Sequence, residues 1–356
     1  MNISMNNTCL SYMGRINNSD PAAPVFYYPG SQAELRFTGR AVTIRLKNHN
    51  VWGNVSLGYV IDGRMGRIPL DSADNDKEVT LRVVSCLEEG EHTLIIYKRY
   101  GANHFYSING IDIEDGEILP CTHEPSLKIE AYGDSVCAGE LCEAVDFTGR
   151  ADPENAASIY DNSWYSFVMQ TARILGASIN NISQGGIAVL DKTGYYHMPD
   201  TIGMETVYNK LCHIPEAGEL TEWDFSRYIP DIVILALGQN DHHNAVTDTN
   251  DVDISDPAYR RKWKDAYMDI IRALSRKYGS SAKYVLTTTL LRHERSWDDA
   301  IGEMCDELNA EGIAAFHNIF TRNGDATDGH PRISEHDEMA DELVRFIRTH
   351  VLSTVN

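Results

Sequence analysis

A change of hydrophobic period near residue 120 limits what this chain can fold into. Ahead of it, apolar residues alternate with polar ones. In "VTIRLK", Val42, Ile44 and Leu46 fall on one side and Thr43, Arg45 and Lys47 on the other, the period of a half-buried strand. "LGYVIDGRMGRIPL" sets the pair Asp62-Gly63 between two strand-like runs, a hairpin signal. "EVTLRVVSC", "GEHTLIIYKRY" and "HFYSINGIDI" continue the series without a long amphipathic helix. This half is predicted to be an all-β sandwich of jelly-roll type.

From Ser126 onward, short apolar runs alternate with helical stretches. The runs are "LKIEAYG", "ASINNIS", "DIVILALG", "KYVLTTTLL" and "IAAFHNI"; the helices include "NSWYSFVMQTARILG", "AYRRKWKDAYMDIIRALSRKYG" and "ISEHDEMADELVRFIRTHVL". Alternating strands and helices imply an α/β domain, with a mostly parallel sheet and ligands at the carboxyl ends of its strands. Gly176 and Gly279 stand where helix C-caps belong, and Ser334 is placed to cap the last helix. "ILPCTHEPS" interrupts both patterns with Pro120 and Pro125, so domains are expected at 1–122 and 123–356. The polar segment "NAVTDTNDVDISDP" reads as a mobile surface loop.

The 356 residues carry a formal net charge of -21, which repels phosphate backbones and anionic membranes, and no Lys/Arg run offsets it. Nucleic acid and membranes are therefore not expected partners; a homo-oligomeric state is left open. "MNISMNNTCLSYMGRINNSD" lacks the pattern of an export signal, and no window reaches the roughly 18 apolar residues of a membrane span. Seven scattered cysteines without a Cys-x-x-Cys pair fit reduced thiols in a cytoplasm. Cys137 and Cys142, close to Ser135, read as small buried packing residues.

Four short segments carry the chemistry. In "YGDSVCAG", Ser135 leaves a strand at the start of a helix, where free N–H groups gather. Asp134 reads as a brace for that turn. "NISQGGIAV" offers a backbone N–H at Gly185 or Gly186, or a plain tight turn. "LALGQND" offers the Asn240 amide, or a turn built by Asn240 and Asp241. "NGDATDGHPRISEH" sets Asp328 two residues before His330, a spacing that can turn Nε2 toward a serine while the carboxylate holds Nδ1; a solvated His-Pro turn is the alternative. Each segment follows a predicted strand or borders the same crevice.

In that order, the blocks "GDS", "SQGGI", "GQND" and "DGH" resemble those of the SGNH (GDSL-like) hydrolase superfamily, and the preceding β-sandwich is similar to the arrangement of carbohydrate esterase family 2. The resemblance implies a flavodoxin-like hydrolase domain behind a jelly-roll-type domain, and an esterase that removes acetyl groups from plant-wall saccharides without a cofactor. It implies Ser135 as nucleophile and His330 as base, with the N–H groups of Ser135 and Gly186 and the side chain of Asn240 as oxyanion donors. Asp328 is implied as the third member of the triad, although many superfamily members hold that aspartate three residues before the histidine, where this chain has Thr327.

The residue chemistry agrees. A serine hydroxyl needs an imidazole, of ordinary pKa about 6.5, to take its proton and return it to the leaving alcohol. Each oxyanion donor is worth about a hundred- to a thousandfold in rate. No metal is called for: His242 and His243 are adjacent, and adjacent side chains rarely converge on one ion. Trp297, in "LLRHERSWDD", borders the crevice as a plate for a sugar ring or packs inward as the next helix begins. A lipase or thioesterase acting on longer acyl chains, and a carbohydrate-binding protein without turnover, are the alternative functions.

Overall fold

The computed structural model describes residues 1–101, 104–121, 125–218 and 220–353. The chain divides into two units. The first comprises Met1–Glu124 with the short segments Ala157–Ile159 and Leu211–Leu220; the second comprises Pro125–Ala156, Tyr160–Lys210 and Thr221–Asn356. The expected boundary at 122/123 lies outside the described residues.

The first unit is two antiparallel six-stranded sheets. One runs in the order Ile16–Asn17, Val25–Phe26, His104–Glu114, Ala41–Asn50 and Glu78–Val84, with Asn2–Ile3 also paired to His104–Glu114. The other runs Ile118–Leu119, Gln32–Thr38, Glu91–Lys98, Ser56–Ile61 and Arg64–Pro69, with Ser11–Met13 on Gln32–Thr38. Alternation decides what is buried. Val42, Ile44 and Leu46 join Leu35, Phe37, Leu94, Ile96 and Ile108 in one apolar core, while Arg45 and Lys47 between them stay outside it. Asp62-Gly63 closes its hairpin as expected, with Ile61 opposite Arg64.

The second unit holds a five-stranded parallel sheet, its strands numbered here β1 (Leu127–Gly133), β2 (Ala177–Ser183), β3 (Ile232–Ala236), β4 (Lys283–Thr287) and β5 (Ala315–His317). Their order is β2-β1-β3-β4-β5, the flavodoxin-like arrangement. Every residue of β3 is buried, which is why its sequence is an unbroken apolar run: an internal strand of a parallel sheet is covered on both faces. The helices are α1 (Ser135–Ala138), α2 (Phe167–Leu175), α3 (Met204–Val207), α4 (Pro257–Tyr278), α5 (Arg295–Ala310) and α6 (Ile333–Phe346). Gly176 ends α2 in the left-handed conformation and Gly279 ends α4, as expected. Ser334 does not cap α6. That helix is capped at Arg332, because the Glu335 carboxylate one turn in accepts the Arg332 N–H at 2.8 Å. Among the described residues no helix is long and apolar enough to cross a membrane.

Strand order reverses between β1 and β3, so the loops after these two strands diverge and open a crevice at their carboxyl ends. Ser135 leaves β1 and Asn240 follows β3 on that edge.

Candidate active site

Ser135 is the first residue of α1, reached through Asp134, whose carboxylate accepts the Val136 N–H at 3.0 Å. Gln239 donates to the same carboxylate at 2.5 Å, so the turn holding the serine is tied to the loop after β3. Burial pushes Asp134 up to about 6 despite these donors. Asp134 is thus the brace that the sequence suggested, and Cys137 and Cys142 are buried packing residues.

His330 arrives from the far end of the chain, on the loop before α6. Its Nε2 lies 2.9 Å from Ser135 Oγ. The loop is held at both ends by one side chain: Glu335 accepts the Thr327 N–H at 2.7 Å and the Arg332 N–H at 2.8 Å.

The carboxylate on Nδ1 is not Asp328. Asp152 Oδ2 stands 2.7 Å from His330 Nδ1, while its Oδ1 accepts the His330 N–H at 3.1 Å. Arg332 Nη2 pairs with Asp152 Oδ1 at 2.9 Å. Asp328 is exposed. Gly329 explains the exclusion. Its φ is +124°, and a Cβ there would come within 2.5 Å of Asp152 Oδ1, so the Asp152 carboxylate fills the space beside the 328–330 backbone. The glycine of "DGH" serves Asp152 rather than Asp328.

Burial alone would lower the His330 pKa, but the Asp152 hydrogen bond and the charges of Glu140, Asp152 and Asp134 outweigh it and hold the imidazole above its ordinary value. For Asp152, burial acts upward and is outweighed by the His330 and Arg332 contacts, leaving the carboxylate below its usual range.

Asn240 is buried, and its Nδ2 donates to Ile187 O at 3.0 Å and approaches Asp134 Oδ2 at 3.5 Å. Asp241 accepts the Val189 N–H at 2.9 Å and the Trp263 indole N–H at 2.8 Å, which fixes the loop after β3 against the loop after β2. Gly186 has φ +74°, and its carbonyl accepts the N–H groups of Tyr195 and Tyr196 at 2.7 and 3.1 Å. Among the described residues no acceptor meets the N–H of Ser135, Gly185 or Gly186.

Trp297 is no plate for a ligand. It lies in the first turn of α5, is 2% exposed and packs edge-to-face on Trp263 with centroids 5.0 Å apart. The helix starts at Arg295 and turns this position inward with Ala300, Ile301 and Met304. Tyr195 is an exposed aromatic beside Gly186. Its ring stacks on His243 at 4.0 Å, its hydroxyl donates to Asn250 at 3.1 Å, and its own N–H binds Gly186 O.

Residues 12–121 match the family model for the carbohydrate esterase 2 N-terminal domain. The chain is carbohydrate esterase family 2-like. Its family 2-like character extends past that domain. The chain is 29% identical over 353 residues to the cellulase/esterase CelE of Acetivibrio thermocellus, covering 96% of this chain and 39% of CelE. It is 25% identical to an acetylxylan esterase/glucomannan deacetylase of Cellvibrio japonicus, covering 95% of this chain and 88% of that protein. Among solved structures, a family two carbohydrate esterase from Clostridium thermocellum in complex with cellohexaose is similar at a TM-score of 0.79 and 27% identity, over 95% of this chain and 98% of that one.

Two functional candidates of this family 2-like chain escaped the sequence reading. Asp152 lies 178 residues before its histidine, in "GRADPEN", where nothing distinguishes it from Asp146 or Asp161. Tyr195 sits in "TGYYHMP", and its exposure is set by the stack on His243, a tertiary contact.

Proposed function

We propose that the protein is a serine esterase that removes acetyl groups from acetylated saccharides, xylan-derived or related, through an acyl-enzyme. The observation that carries this reading is the aligned series Ser135 Oγ, His330 Nε2, His330 Nδ1 and Asp152 Oδ2, with separations of 2.9 and 2.7 Å across the two hydrogen bonds. In the first half-reaction Ser135 Oγ bonds to the acetyl carbon while its proton passes to Nε2. The tetrahedral oxyanion is met by the N–H groups of Ser135 and Gly186 and by the Asn240 amide. The bond from carbon to sugar oxygen then breaks, and His330 returns the proton to that oxygen. Water repeats the sequence on the acetyl-serine and releases acetate. Asp152 keeps the imidazole in the required tautomer and stabilises the imidazolium.

A saccharide is favoured over a long-chain ester by Tyr195, an exposed ring held beside Gly186, and by the likeness of the whole chain to an acetylxylan esterase/glucomannan deacetylase and to a carbohydrate esterase in complex with cellohexaose. Cytoplasmic residence belongs to the same proposal, since all seven cysteines are free thiols.

The test is acetate release from acetylated xylo-oligosaccharides, followed by NMR for the wild type and Ser135→Ala. Release that disappears in the variant is expected. No release from the saccharide beside rapid hydrolysis of p-nitrophenyl octanoate would move the reading to a lipase-type enzyme.

A further inference from the structure

One carboxyl group at the site has no part in the scheme above. Glu140 follows α1, and its N–H donates to Ser135 O at 3.0 Å. Its side chain lies over Gly185 so closely that a Cβ on that glycine would stand 1.8 Å from Oε1 and 2.5 Å from Cδ. The glycine pair after β2 therefore makes room for this carboxyl as well as exposing a backbone N–H. Among the described residues no donor pairs with the Glu140 carboxyl, and the side chain is half-buried. A half-buried carboxyl without an internal donor takes its hydrogen-bond partner from solvent or from a ligand.

Its surroundings indicate which part of the ligand it meets. The charged groups around it are Asp161, His330, Asp134 and Asp152, with Arg332 paired to Asp152. Glu140 acts electrostatically on His330, and His330 is the group that hands a proton to the leaving sugar oxygen. The sugar must therefore sit beside His330, within the same small region as Glu140.

We propose that Glu140 is a specificity-determining residue whose carboxyl group hydrogen-bonds a hydroxyl of the sugar bearing the acetyl ester. This rests on the saccharide-esterase reading. Burial foremost, then Asp161, pushes the Glu140 pKa up to about 8. Below that pH the group offers one donor and an acceptor, the complement of a sugar hydroxyl. Above it the donor is lost and a further negative charge stands among Asp134, Asp152 and Asp161. An ester without a sugar cannot make the bond.

Wild type, Glu140→Gln and Glu140→Ala are compared on an acetylated xylo-oligosaccharide and on p-nitrophenyl acetate, over a pH range spanning 8. Glu140→Ala is expected to lose at least about tenfold more kcat/KM on the saccharide than on p-nitrophenyl acetate, mainly through KM. Glu140→Gln, which keeps a donor and an acceptor, is expected to restore most of the saccharide activity and to abolish the wild type's fall in activity as the pH rises through about 8. Equal losses on the two esters would overturn the proposal. If the alanine variant does not fold, the glutamine variant decides, and an alkaline fall that it shares with the wild type would overturn it. A wild type that cleaves p-nitrophenyl acetate but releases nothing from the saccharide would instead sink the saccharide reading, and this proposal with it.

Discussion

Asp152 and Asp328 lie near one histidine, but only Asp152 reaches its ring, and the difference has a direct kinetic consequence. Asp152→Asn removes the charge and replaces an acceptor-only group with an amide that can donate to Nδ1 and favour the wrong His330 tautomer, so kcat is expected to fall by about a hundred- to ten-thousandfold. Asp328→Asn touches an exposed side chain and should cost less than about threefold, by the small effects typical of such sites. Steady-state kinetics on one acetyl ester decide between them, and a reversed order would restore Asp328 to the triad. The pH profile supplies a second readout. His330 must be neutral to act as base, and its pKa is raised, so kcat/KM should be lost as the pH falls through a midpoint above about 6.5. Removing the Asp152 charge should move that midpoint down, and an unmoved midpoint would contradict the assignment. The pairing of Ser135 with His330 was legible because the proposed nucleophile and base sit in short blocks at predicted loops. Asp152 was not, because a lone aspartate joined by tertiary contact leaves no local spacing to read.

Helices and strands were legible to the extent that one period governed them. The β3 run, the alternation of Ala41–Asn50 and the glycine stops after α2 and α4 all appear where the pattern placed them. Trp297 shows where the pattern ran out: a tryptophan at a helix start faces solvent or core according to helical phase, and α4 supplies the partner that decides it. Trp297→Ala should accordingly act on stability. Loss of a fully packed indole against Trp263 is expected to cost about 3–5 kcal/mol, seen as a lower denaturant midpoint, with KM for an acetylated saccharide little changed in the folded fraction. A large KM increase at unchanged stability would return Trp297 to the ligand. Ser334 fell to a similar competition, because Glu335 already gathers the backbone N–H groups of Thr327 and Arg332.

For the molecule as a whole, buried ionisable groups in each unit link folding to pH. His213 in the first unit and His336 in the second are fully buried, and burial foremost holds both down at about 3. Below about 6.5 the unfolded chain takes up these protons and the folded chain does not, so each histidine removes about 1.4 kcal/mol per pH unit as the pH falls. Asp134 and Asp241, pushed up by burial to about 6 and 7, act in the opposite sense, losing stability as the pH rises from about 4. Replacing either histidine with Gln should therefore remove its share, about 1.4 kcal/mol per pH unit of stability lost on acidification, from the slope of unfolding free energy between about pH 6 and 4, measured by urea titration; an unchanged slope would show that the ring is protonated in the fold. The two-domain order was legible from the change of period, whereas the assignment of Ala157–Ile159 and Leu211–Leu220 to the first unit was not, since these segments are too short to carry a period of their own. The most direct test of the central claim is rapid-quench peptide mass spectrometry during turnover of an acetylated saccharide. The reading expects one acetyl group on the peptide containing Ser135, at the serine oxygen, appearing before acetate accumulates at steady state. Acetate release with an unmodified Ser135 peptide throughout, or with the acetyl group on another residue, would contradict it.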